Sequence, residues 1–157
     1  ITTIGDSAGG NLAVAAAGAL RGRGKPLPGA VIALSPWLDM ENKGATLVTD
    51  DATDALITVG LLEGMIAGVL GDQTSPTAPL ANPLYADYAG FPRLYITAGG
   101  DESLLDNATR LNALADAAGV DVTLSVVDGQ QHVFPFNAGR TAAADDQIAA
   151  IAKWYAG

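Results

Sequence analysis

The chain has 157 residues, 17 of them acidic and 8 basic, for a formal net charge of −9. That length is enough for one domain with a core, and the acidic balance argues against nucleic acid or an anionic surface as a partner. Cysteine is absent, which excludes disulfides and thiolate metal sites and fits a reducing, cytoplasmic location. Hydrophobic residues make up 49% of the chain. Yet the longest apolar run, Leu12 to Leu20, falls short of the roughly 20 residues that span a bilayer, so no membrane span is expected.

The first element is a short β-rich run, Thr2 to Gly5. It leads into Gly5-Asp6-Ser7-Ala8-Gly9-Gly10 and then a small-residue helix, Gly9 to Arg21. This strand–turn–helix order with G-x-S-x-G is a nucleophile elbow. Bulky neighbours would block so tight a turn, and Gly5 and Gly9 leave room. The helix N-terminus points N–H groups to where an oxyanion forms. An elbow strand belongs inside a sheet, yet Ile1 precedes it by one residue. The expectation is therefore the C-terminal part of a longer polypeptide, with an open edge at the first strand.

Further strands are expected at Ala30 to Leu34, Arg93 to Ala98 and Val122 to Val127, each apolar or β-branched and bounded by turn residues. A second helix, Val59 to Leu70, carries Leu62, Met65, Ile66 and Val69 on one face, with Gly71 as its stop. A third, Leu104 to Ala118, carries Leu104, Ala108, Leu111 and Ala115 on one stripe. Ser103 and Asp106 read as its capping box and Gly119 as its end. The last, Thr141 to Ala156, presents Ile148, Ile151, Ala152 and Tyr155. Two long segments interrupt the alternation. Glu41 to Thr58 is polar, and Thr74 to Pro92 holds four prolines with Tyr85, Tyr88 and Phe91. Each is either a wall of the site or a surface connection. Alternating strands and helices imply a parallel sheet flanked by helices.

Three polar residues fall at the C-terminal ends of expected parallel strands, the edge where open α/β sheets place their sites. They are Ser7, Asp101 and His132, the single histidine. Their chain order is that of α/β-hydrolases. Ser7 is a weak nucleophile without a base. His132 is the only imidazole that can take its proton and return it to the leaving group. Asp101 is placed to orient the ring. The Ala8 backbone N–H, beside Gly9, supplies one oxyanion donor. Asp106 is a rival orienter but reads as a cap. Asp128 lies too near the strand end, Glu102 is expected to face solvent, and Asp6 is expected to brace the turn through local backbone hydrogen bonds. Trp37, Tyr85 and Phe134 are candidates to line an acyl pocket, with core packing as the alternative for Trp37.

At these residues the chain resembles the hormone-sensitive-lipase-like (bacterial family IV) esterases, a branch of the α/β-hydrolases. The resemblance rests on Gly5 to Gly10, on Ser35-Pro36-Trp37-Leu38-Asp39, on Asn82-Pro83-Leu84-Tyr85-Ala86-Asp87, on Gly100-Asp101-Glu102 with Leu105-Asp106, and on His132-Val133-Phe134. It spans essentially the whole chain. It implies an acyl-enzyme mechanism on small-molecule carboxylic esters of short to medium acyl length, with lactones or acetyl esters as variants. It implies a single domain whose upstream strands, His-Gly-Gly oxyanion loop and cap lie before this sequence. The chain is then expected to need that missing N-terminal half as a partner and to be nearly inactive alone. Homodimerisation through the last strand, Val122 to Val127, is a family habit that nothing in those residues demands.

The competing reading is a ligand-binding protein on the same scaffold; relatives of that kind lack the catalytic histidine, whereas His132 is present. An assembly role through the open edge at Thr2 to Gly5 would describe a fragment. No metal site is expected, because one histidine without cysteine leaves only carboxylates, and Asp50-Asp51 and Asp145-Asp146 read as solvated or helix-start charges. No phosphate loop or dinucleotide fingerprint is present, and no cofactor is implied.

Overall fold

Five consecutive apolar residues, Ala30–Leu34, form a strand (β2) buried along its whole length. Only a strand covered on both faces tolerates so continuous an apolar run. In the computed structural model, which describes residues 1–49 and 53–157, β2 pairs in parallel with β1 (Thr2–Asp6) and with β3 (Arg93–Gly99). Strand β4 (Val122–Val127) pairs in parallel with β3 and completes the order β1-β2-β3-β4. The register aligns Asp6, Leu34, Thr97 and Ser125 across the sheet. This is the parallel, helix-flanked sheet expected from the sequence, with the elbow strand first and at an edge.

Alternate strand residues feed two cores. Val31, Ala33, Leu94, Ile96 and Ala98 pack against Ala13, Val14 and Ala17 of α1 (Ala8–Gly22) and against Ala108, Leu111 and Ala115 of α4 (Leu105–Ala117). Ile32, Leu34 and Tyr95 pack on the other face against Ile151 and Trp154 of α5 (Ala142–Ala156). Tyr95 and Trp154 meet edge to face at 5.3 Å, and Arg93 lies over the Trp154 ring. A third cluster joins Trp37 and Met40, just past β2, and Leu104, just past β3, to Leu47, Ile57, Leu62 and Leu70. It includes α2 (Thr46–Thr49), too short for a periodic signal, and α3 (Val59–Leu70).

The structure revises several helix faces. On α3, Leu62 and Leu70 are buried and Ile66 is partly packed, a row at i, i+4 and i+8. Met65 and Val69, expected on the same face, are exposed, because only a narrow stripe of this helix meets the third cluster. On α5, Ile151 is buried, whereas Ile148 and Tyr155 are exposed. They border an apolar cleft with Ile4, Ile32 and Leu34 beside the edge strand. The α4 stripe is as expected, but its capping box is not formed. The N-cap is Leu104, with no side-chain cap bond. The Ser103 N–H instead donates to Asp54 Oδ2, and the Asp106 N–H to Thr46 Oγ1, so the neighbouring loop satisfies the helix start.

The proline-rich segment is an inner support rather than a loose connection. Asn82, Leu84, Tyr88 and Phe91 are buried, and Tyr88 and Phe91 stack edge to face. Of its three aromatics only Tyr85 turns outward, to bond Glu41, and it is not among the residues that line the pocket beside Ala8. Asp50 and Asp51 lie outside the described residues. Asp145 sits in the first turn of α5 and accepts from the Gly139 N–H. Among the described residues, no helix is long and apolar enough to cross a membrane.

Candidate active site

Ser7 joins β1 to α1 with φ 51° and ψ −119°, in the left-handed region that side-chain-bearing residues avoid. Such a conformation costs about 1–3 kcal/mol and persists only where the surroundings over-determine it. Here they do. The Ser7 N–H donates to Leu34 O at 2.9 Å, and Ser7 O accepts from the N–H groups of Trp37 (3.0 Å) and Asn11 (3.2 Å). The Asn11 amide then donates to Trp37 O and Ala81 O. The expected brace from Asp6 is absent, since its carboxylate makes no hydrogen bond among the described residues. Main-chain bonds to the end of β2 replace it.

Gly5 and Gly10 are required by contact. A Cβ on Gly5 would lie 2.1 Å from Gly9 O, and one on Gly10 would lie 2.9 Å from Pro36 Cβ. The first obstacle is backbone in the helix itself and cannot swing aside. Gly5→Ala is therefore expected to destabilise the fold by about 3 kcal/mol or more, measured as a shift of the urea midpoint. Gly9→Ala, with no obstacle nearer than 3.9 Å, should be mild by the same measure. Ala8 and Gly9 open α1, and their N–H groups are among those that lack intrahelical partners.

His132 follows β4 and is 8% exposed. Its Nδ1 lies 3.3 Å from Glu102 Oε1. Glu102 is fully buried, and its other oxygen, Oε2, accepts from Ser35 Oγ at 2.6 Å and from the Gly99 N–H at 2.7 Å. Three donors on one buried carboxylate offset the cost of removing it from water.

This corrects two sequence expectations. The carboxylate at the imidazole is Glu102, not Asp101, and Glu102 does not face solvent. The turn after β3 explains why. Gly99 and Gly100 press so closely on the backbone of Gln130 and Asp128 that added Cβ atoms would sit 2.2 and 2.9 Å away. Asp101 is spent on that contact, its N–H donating to Gln130 O. One residue on and one methylene longer, Glu102 folds back to close an i, i+3 bond with Gly99. A carboxylate three residues after the last strand glycine was the available signal.

Leu34 O, Ser35 Oγ and the Trp37 N–H link the two halves of the site. The end of β2 thus bonds the Ser7 elbow on one side and the Glu102–His132 pair on the other. This segment is itself anchored. The N–H groups of Leu38 and Asp39 donate to Asn107 Oδ1. Buried Asp39 accepts from the N–H groups of Glu41 and Lys43 and from Arg110 at 2.8 Å. Partial burial works against the charge on Arg110, but its bonds to Asp39 and Asp106 outweigh this and raise its pKa.

Trp37 is both core and wall. It is 2% exposed, yet it borders a pocket of about 180 Å³ beside Ala8, with Leu12, Met40, Val69 and Leu80. Phe134 is 2% exposed within the 3-10 turn Phe134–Asn137, packed rather than presented. The Ser7 hydroxyl makes no hydrogen bond among the described residues; residue 7 is joined to the His132 side of the site through its main chain, the end of β2 and the Ser35 hydroxyl.

Comparison with known proteins agrees with this fold. A family model described as alpha/beta hydrolase fold matches residues 1–136. An acetyl-hydrolase of Streptomyces hygroscopicus is 41% identical over 134 residues, covering 85% of this chain and 44% of that protein. An esterase of Acinetobacter venetianus is 33% identical over 139 residues, covering 88% and 46%. The crystal structure of an esterase from the bacterial hormone-sensitive lipase family superposes with a TM-score of 0.95 at 44% identity, over 98% of this chain and 52% of that one. The chain thus spans about half the length of the curated relatives it matches. It belongs to the α/β-hydrolase fold family, among the hormone-sensitive-lipase-like esterases.

Proposed function

We propose that this chain carries the catalytic residues of a serine carboxylesterase that works through an acyl-enzyme on esters of short to medium acyl length. The observation that carries the reading is the Glu102–His132 pair, bonded through the end of β2 to a strained serine elbow. In this reading Ser7 Oγ attacks the ester carbonyl carbon and its proton passes to His132 Nε2. That proton then goes to the departing alcohol, and water repeats the sequence to release the acid. Glu102 holds Nδ1 and balances the imidazolium. The Ala8 and Gly9 N–H groups receive the oxyanion. Catalytic hydrogen bonds are often long without substrate and tighten in the complex, which accommodates the unpaired Ser7 hydroxyl.

The apolar pocket beside Ala8 supports an acyl rather than a charged substituent there. A p-nitrophenyl series from acetate to dodecanoate is expected to peak at short or medium length. A flat profile, or a maximum at the longest chain, would reject the acyl-length assignment.

We further propose that efficient turnover requires an oxyanion donor outside these 157 residues. The relatives are about twice as long, and the apolar cleft along β1 leaves Ile4 60% exposed. One oxyanion donor is typically worth about 10²–10³ in rate. The 157-residue chain is thus expected to be slower by at least that factor than a form extended upstream. Equal rates in the two forms would refute the requirement.

A further inference from the structure

Ser35 lies in a segment that the mechanism above does not use chemically, yet it occupies the junction of the site. It is fully buried at the end of β2, with φ 45°, and its N–H donates to Thr97 O at 2.6 Å. Its hydroxyl donates to Glu102 Oε2 at 2.6 Å and accepts from the Val133 N–H at 3.0 Å. Val133, directly after His132, has φ 54°. Two residues in the left-handed region thus meet at one hydroxyl, an arrangement that persists only when its surroundings hold it.

We propose that Ser35 is a positioning residue, whose single hydroxyl fixes the Glu102 carboxylate and the His132–Val133 peptide relative to each other. The inference rests on reading Glu102 and His132 as the orienter and base. Oε2 is held by Ser35 and Gly99, which leaves Oε1 for the imidazole. The same hydroxyl takes the next peptide N–H, so the ring's acceptor and its backbone share one anchor. Only a hydroxyl both donates to a carboxylate and accepts from an amide at so short a reach. Alanine does neither. Threonine keeps the hydroxyl but is β-branched, a poor fit at positive φ.

The single histidine makes the test direct, because the chain has one set of imidazole resonances. In the 157-residue chain, the His132 Nδ1 proton should give a protected downfield NMR signal. Ser35→Ala is expected to abolish that signal, as Glu102→Gln should. In the form that turns over p-nitrophenyl butyrate, Ser35→Ala is expected to lower kcat about 10- to 100-fold and leave KM within twofold. Adding Ser35→Ala to Glu102→Gln should lower kcat little further, because the serine acts through the carboxylate. Ser35→Gly relieves the positive φ and replaces Ser35→Ala if the latter fails to fold.

An unchanged Nδ1 signal, with only the melting temperature lowered, would overturn the proposal and leave Ser35 a structural cap. So would a loss of kcat with the signal intact. An upstream-extended wild-type form without ester turnover, together with a signal that still vanishes on Ser35→Ala, would uphold the positioning role and reject the esterase reading.

Discussion

Ser7→Ala is expected to lower p-nitrophenyl ester turnover by about 10⁴- to 10⁶-fold in the form extended upstream, with little change in its melting temperature. The two halves of that expectation have separate causes. The rate falls because the hydroxyl is the only group at the elbow able to form an acyl bond. The fold survives because everything that holds residue 7 is main chain: its N–H to Leu34 O, and its carbonyl to the Trp37 and Asn11 N–H groups. The hydroxyl has no partner among the described residues, so its removal orphans no buried group. His132→Ala is expected to cost a similar factor, and the double variant no more than either alone, because nucleophile and base act as one unit. A fluorophosphonate should label Ser7 and no other residue by mass spectrometry. Retention of the rate in either single variant would remove the acyl-enzyme reading and make ligand binding on this scaffold the leading alternative.

What was legible in the sequence was whatever a local pattern decides. The bounds of β2, β4 and α3 coincide with those read from apolar runs between turn residues. The elbow was legible because Gly5 faces helix backbone at a distance no side chain fits. The α4 stripe was legible because that helix is buried on one broad face. What depended on distant chain was not. The packed side of α3 is set by a cluster drawn from the segments after β2 and β3, so Met65 and Val69 emerge where periodicity would bury them. The start of α4 is satisfied by Asp54 and Thr46, more than forty positions upstream, and its apparent capping box stays unused. Tyr88 and Phe91 sit in the main core although their proline-rich segment reads as a site wall or a surface connection.

The sharpest separation between sequence and structure lies in the acid, and it gives the second large effect. Glu102→Gln is expected to lower turnover by about 10³–10⁴-fold, whereas Asp101→Asn should leave it within about twofold. Sequence position favours Asp101, the first carboxylate past the strand. Geometry favours Glu102, which is fully buried, 3.3 Å from His132 Nδ1, and held by two further donors. The amide of Gln keeps the size of the side chain but removes its charge, so it neither balances an imidazolium nor accepts at both oxygens. Either it presents its oxygen to the ring and turns N–H₂ toward the Ser35 hydroxyl and Gly99 N–H, or it does the reverse and selects the wrong tautomer of His132. Both outcomes cost rate, the second by the larger factor. Asp101 enters the site through its backbone, which Asn preserves. The decisive comparison is kcat for the two variants side by side, each with its melting temperature. A large loss in Asp101→Asn with Glu102→Gln near normal would reverse the assignment and require the turn after β3 to rearrange in the working enzyme.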